Sequence, residues 1–188
     1  MLAGGFWQPV LRATARAWIV TDEFTSAEAV VLSDGAGRQT LGRSLEWVRE
    51  GKVQRMVLLR GEMWPTDRAG ITTPALPSRL SQIHAAGVPE SAVALVGEEL
   101  ATMHSEMVAL LGWAQSNRVT QVVLPTAPFA TRRMAWLARR MLVPAGVRAS
   151  VVPVAMPEYA VDGWWRTKDG LLAFEQECVL MLYYWCRY

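Results

Sequence analysis

Residues 29–38, Ala29-Val30-Val31-Leu32-Ser33-Asp34-Gly35-Ala36-Gly37-Arg38, run from an apolar stretch straight into a glycine turn. A segment apolar on both faces is what a parallel strand needs when helices cover both sides of its sheet. The turn leads into an apolar stripe at helical spacing, Leu41, Leu45 and Val48, that stops before Gly51. Together they predict a strand over Ala29–Ser33, a turn and a helix, the first half of a β-α-β unit.

The same pattern recurs along the chain. Further strands are expected at Arg55–Arg60, Ala92–Val96, Gln121–Pro125 and Arg148–Val154, each rich in Val or Leu. Helical stripes fall at Met103, Met107, Leu110, Leu111 and Ala114, and again at Met134, Leu137, Ala138 and Met141 before Pro144. A last helix is expected from Thr167 to Tyr184. Alternating elements of this kind imply a three-layer, Rossmann-like α/β domain. Its sheet has about five mostly parallel strands, with right-handed crossovers and helices on both faces.

With 188 residues, 52% apolar and 19% charged, the chain is long and apolar enough for one domain spanning residues 1–188. Residues 1–20 are expected to form an amphipathic helix packing on that domain, with Phe6, Val10, Ala13 and Ala17 on its inner face. A formal charge of +2 does not point to nucleic acid as a partner. No stretch reaches the roughly 18–20 apolar residues of a membrane span, and the first twenty residues read poorly as a signal peptide, so a cytoplasmic protein is expected. Cys178 and Cys186 lie eight residues apart on the expected last helix, roughly 12 Å and beyond disulfide reach. With two cysteines and two histidines, neither a cysteine-based zinc site nor a multi-histidine metal site is expected.

In an open parallel sheet the ligand crevice lies beyond the carboxyl ends of the strands. After the first strand this rule selects Ser33, Asp34, Gly35, Gly37 and Arg38, where two readings stand: a plain tight turn, or a glycine loop and helix N-terminus that cradle an anion. After the second strand it selects Gly61 and Glu62, which open a loop from Gly61 to Pro77 long enough for a lid. After the third come Thr102, which is also a helix N-cap candidate, His104 and Glu106. After the fourth come Thr126 and Arg133. Arg132, Arg139 and Arg140 are expected on the solvated side of their helix, with Arg133 turned to the crevice. Glu62, Asp34 and His104 are the candidates for proton transfer. Arg133 is expected to hold an anionic group, so that its removal abolishes binding and leaves the fold intact.

Several segments, in this order, resemble the YdcF-like family. They include Leu11-Arg12-Ala13 with Trp18-Ile19-Val20, and Glu28-Ala29-Val30-Val31-Leu32. Gly87-Val88-Pro89 enters the third strand, and Thr126-Ala127-Pro128-Phe129-Ala130-Thr131-Arg132-Arg133 follows the fourth. Trp164-Trp165-Arg166 and Glu177 with Tyr183-Tyr184 close the series. The family's histidine position is occupied by Ala130, and its arginine is kept as Arg133. The resemblance implies a Rossmann-like domain binding a polar, nucleotide-type small molecule, S-adenosylmethionine among them. It also implies a weak or degenerate hydrolase or transferase with a role in cell-envelope maintenance. The alternative is a non-catalytic interaction or scaffold protein with a vestigial crevice, using a Trp-rich surface for a protein partner.

Overall fold

A computed structural model describes residues 7–63, 65–71 and 75–188. Five strands form one sheet: β1 (Ala27–Leu32), β2 (Val53–Gly61), β3 (Val93–Leu100), β4 (Gln121–Thr126) and β5 (Arg148–Pro153). Their order is β3-β2-β1-β4-β5 and every pairing is parallel. This is an α/β Rossmann-like arrangement, and the strand order reverses between β1 and β4, where such folds open a crevice.

Strand alternation sorts the core onto two faces. Val31, Val57, Leu59, Val122 and Leu124 point to one side. There they meet α5 (Met103–Ser116) through Met107 and Leu110, and α6 (Thr131–Met141) through Met134 and Leu137. Val30, Leu32, Met56, Leu58 and Val123 point to the other. That face is covered by α2 (Arg38–Arg49), with Leu41, Leu45 and Trp47, and by α4 (Ala75–Ala85), with Ile83. Each fully buried aliphatic side chain contributes about 1.5–3 kcal/mol, so these two faces supply most of the stabilisation.

The helix α1 (Trp7–Trp18) docks away from the sheet faces. It lies against the 3-10 turn Val161–Arg166 and the helix α7 (Lys168–Arg187), around buried Ala15, Phe129 and Trp164. Its inner face is Leu11, Ala15 and Trp18, not the expected Val10, Ala13 and Ala17; Val10 is 60% exposed, and Phe6 lies outside the described residues. The larger side chains win that contest, because Trp18 also donates its indole N–H to the Phe129 carbonyl at 2.8 Å. The neighbouring arginines fix the orientation: Arg16 pairs with Asp162 at 3.0 Å, and Arg12 Nε donates to the Asp162 carbonyl at 3.2 Å. Gly170, at the start of α7, lets the helix touch the turn before it. A Cβ there would collide with the Trp164 carbonyl oxygen and stand 2.9 Å from its carbon.

The expected loop from Gly61 to Pro77 contains a short helix, α3 (Pro65–Arg68), and the first turn of α4. Trp64 and residues 72–74 of that loop lie outside the described residues. Among the described residues no helix is long and apolar enough to cross a membrane. Both cysteines lie on α7 as free thiols.

Candidate functional site

A cleft of about 1130 Å³ opens at the carboxyl ends of β1, β2 and β3. Its floor is the turn after β1. Ser33, Asp34 and Gly35 line it, together with Gly61 and Glu62 from the end of β2 and Thr102, Met103 and Glu106 from the start of α5. Arg133 of α6 closes one side. In the segments that follow β4 and β5, Phe129, Tyr159, Trp164 and Phe174 form an aromatic corner whose rings contact one another. A smaller hollow of about 570 Å³ lies at the opposite, amino-terminal ends of the strands. Two of its basic groups are engaged, Arg43 with Glu46 at 2.6 Å and Lys52 with Glu50 at 2.8 Å.

Glu106 is the most constrained polar residue of the cleft, at 5% exposure. Its Oε1 accepts the Ser33 hydroxyl at 2.6 Å and the Asp34 backbone N–H at 3.2 Å. Burial pushes its carboxyl above the usual glutamate range; the bonds from Ser33 and Asp34 N–H oppose that, the Asp34 charge adds to it and Arg133 opposes it. The first amide of the β1 turn is therefore occupied by the protein's own carboxylate.

Arg79 on α4 holds the rest of that turn. Its guanidinium donates to the carbonyls of Asp34 and Ala36, the latter at 2.8 Å, and lies 3.6 Å from the Asp34 carboxylate. Turning carbonyls toward an arginine gives the loop a fixed shape. Gly61 completes the packing: a Cβ there would come within 2.5 Å of Asp34 Cγ. The glycine is needed for this close approach of β2 to the Asp34 side chain.

The third wall is a bulge. β2 and β3 pair Leu59 with Val96 and next Gly61 with Leu100, so extra residues of β3 bow outward. Gly97 and Glu99 take left-handed conformations, φ +76° and +49°. A non-glycine residue held there costs of order 1–3 kcal/mol and tends to mark a functional wall. Arg60 secures the bulge from Nε to the Gly97 carbonyl at 2.6 Å and pairs with Glu98 at 2.9 Å, while Arg68 reaches Glu99 at 3.1 Å and Glu62 at 3.6 Å.

Arg133 lines the cleft, but its fork is spent elsewhere. Nε and a terminal nitrogen bind both oxygens of Glu177 on α7, at 2.9 and 2.7 Å, and its guanidinium lies 5.1 Å from the Tyr184 ring centre. Burial works against the arginine's charge, and the bonds and charge of Glu177 outweigh it and raise its pKa. The arginine expected to hold an anion is thus half of a largely buried ion pair, 10% and 13% exposed. Its removal is expected to destabilise the fold.

Other expectations change as well. His104 stacks on Tyr188 with ring centres 4.0 Å apart and is not among the residues lining the cleft. Thr102 is an N-cap: its Oγ1 accepts Ser105 N–H at 3.1 Å and its own N–H donates to Ser105 Oγ. It still lines the cleft. Gly37, Arg38 and Thr126 lie at strand or helix ends but outside the lining. Arg132 is not on a solvated row; it donates to the carbonyls of Ala17 and, at 2.9 Å, Trp18, capping α1. Arg79 escaped the sequence analysis, and Glu177 entered it only through the family resemblance and without a role, since their partners lie 45 and 44 residues away and leave no local pattern.

Among the described lining residues there are six carboxylates, Asp34, Glu62, Asp67, Glu98, Glu99 and Glu106, and three arginines, Arg60, Arg79 and Arg133. All three arginines are engaged by protein groups. Most of the carboxylates are engaged too, Asp34 by Arg79, Glu98 by Arg60, and Glu62 and Glu99 by Arg68. The lining therefore carries a modest acidic excess, and none of its three arginines is left without a protein partner. Met63, Leu76, Pro77, Leu100 and Met103 add an apolar strip. Among the described residues no group of acidic, histidine or cysteine side chains is placed to hold a metal ion.

No family model matches the chain, and no curated protein matches it. Among solved structures, a universal stress protein in complex with cAMP is similar, with a TM-score of 0.41 and 13% identity over 69% of this chain and 98% of that one. Likeness of that degree transfers neither ligand nor activity. The sheet order and the cleft at its carboxyl ends stand on the chain's own geometry.

Proposed function

We propose that the chain binds a nucleoside-type small molecule that carries hydroxyls and a positive charge, at the cleft over β1, β2 and β3. S-adenosylmethionine is a member of that class with the right chemistry. The observation that carries this reading is the lining itself, in which carboxyl groups outnumber arginines and each of the three arginines already serves a protein partner, so an anion finds less to bind there than a cation does. Glu62 follows directly on β2, the position from which an acidic residue bonds ribose hydroxyls in dinucleotide-binding sheets. The apolar strip suits a flat base. The YdcF-like resemblance belongs to the same proposal and rests on the order of the segments quoted above; an envelope role rests on that resemblance alone.

The test is mass spectrometry of small molecules released from purified protein, joined to a thermal-shift panel of S-adenosylmethionine, adenosine, ATP and nucleotide sugars. Stabilisation by the cationic and neutral members supports the reading. A preference for the polyphosphates sinks it.

A second reading, association between copies through the outer side of α7, is favoured by Val179, Leu182, Tyr183 and Trp185, all at least half exposed. It requires a mass that rises with concentration; a constant monomer mass removes it.

A further inference from the structure

The cleft holds one titratable group that ligand binding alone does not explain. Glu106 is 95% withdrawn from solvent, yet its two oxygens are treated differently. Ser33 and the Asp34 amide both donate to Oε1. Among the described residues nothing bonds Oε2, no fully buried side-chain oxygen or nitrogen lacks a partner, and Glu106 lines the cleft, so Oε2 is the oxygen left for a ligand. An oxygen that already accepts two donors is a poor place for a carboxyl proton. Oε2, free of donors, is the better seat for the proton of neutral Glu106.

We propose that Glu106 is a general acid–base residue of the cleft, with Ser33 and the Asp34 amide as its positioning groups and water as co-reactant. The proposal rests on the ligand-binding reading of this cleft. The Oε2 proton passes to the leaving atom of the ligand, which keeps the electron pair of the breaking bond. Water forms the new bond at the vacated carbon, and the proton it sheds returns to Oε2. Because the other five lining carboxyl residues still outnumber the three lining arginines, the site favours a carbon that gains positive charge as the bond breaks, such as the glycosidic carbon of a nucleoside or sugar. The charged groups that face Glu106 are Asp34 from the β1 turn and Arg133 from α6, and Arg133 is itself paired with Glu177. Burial favours the neutral form that such an acid needs.

Two measurements on the full chain test this without any ligand. In the first, side-chain carboxyl 13C resonances of labelled glutamate are followed with pH, and the Glu106 resonance is assigned by its loss in Glu106→Gln. It is expected to titrate above the other glutamates, and Ser33→Ala, which removes a donor to the ionised form, should move it up by a further ~0.5–1 pH unit. In the second, neutral diazoacetamide is added at pH 6. It esterifies protonated carboxyls: the acid proton goes to the diazo carbon, dinitrogen leaves and the carboxyl oxygen takes its place. Glu106 should be esterified ahead of exposed Glu62, Glu98 and Glu99. A Glu106 that titrates with the rest, ignores Ser33→Ala, or reacts after the exposed glutamates overturns the proposal. Failure of every ligand in the binding panel would leave these results standing, so the two readings fail separately.

Discussion

At Arg133 and Glu177 two charges share a site from which water is largely excluded, at 10% and 13% exposure, and each is tolerable only because of the other. Removing one partner leaves a buried charge without compensation, which costs about 3–5 kcal/mol. Arg133→Ala should therefore lower the denaturation midpoint by that equivalent, and the double variant Arg133→Met with Glu177→Leu should recover much of it. A single variant that unfolds at the wild-type midpoint would show that the pair is ornamental. Glu106 carries the opposite sign. Its folded-state carboxyl titrates above the ordinary value of 4.5, so its contribution is fully present below that value and is lost as pH rises through the raised one. Glu106→Gln keeps an acceptor for Ser33 and Asp34 N–H and presents an amide to the cleft, like the neutral acid. The variant should match the wild type near pH 4 and become the more stable protein as pH rises toward 8, read as melting temperature against pH. A constant difference across that range would contradict the burial of Glu106. From sequence both residues were visible at strand-end positions. What each of them does was not, because it is set by partners 44 and 73 residues away.

Helices and strands were legible in proportion to how one-sided their environment is. The five strands announced themselves because a sheet covered on both faces tolerates little but apolar residues; β2 and β3 run past their expected carboxyl ends into the bulge and cleft, and β1 and β2 begin two residues earlier than expected. The helix α4 was missed. Pro77 in its first turn looks like a breaker, although proline is tolerated there, and Ile83 is its one buried residue. The spacing of Leu76, Leu80 and Ile83 was the available signal. For α1 the period was right and the face was wrong, since two apolar stripes compete and only Leu11 and Trp18 are large enough to fill the aromatic corner. This gives a direct contrast. Leu11→Asp should cost a few kcal/mol, whereas Val10→Asp, one residue earlier and 60% exposed, should stay within about 0.5 kcal/mol. Equal effects on the thermal midpoint would mean that α1 docks by a different face.

Across the whole molecule the strand order places the crevice, and the rest of the chain decides how much of it stays open. The segments after β4 and β5 are drawn into the aromatic corner, and the cleft is lined from the ends of β1, β2 and β3. The crevice was foreseeable from alternation of strands and helices; its charge was not, since that depends on which arginines are already spoken for. The most direct test is a calorimetric titration of the purified protein with S-adenosylmethionine and, separately, with ATP at the same salt. The account predicts saturable binding of S-adenosylmethionine, much weaker binding of ATP, and stabilisation of about 2.7 kcal/mol at a hundredfold excess over Kd. Tighter binding of ATP than of S-adenosylmethionine would contradict it.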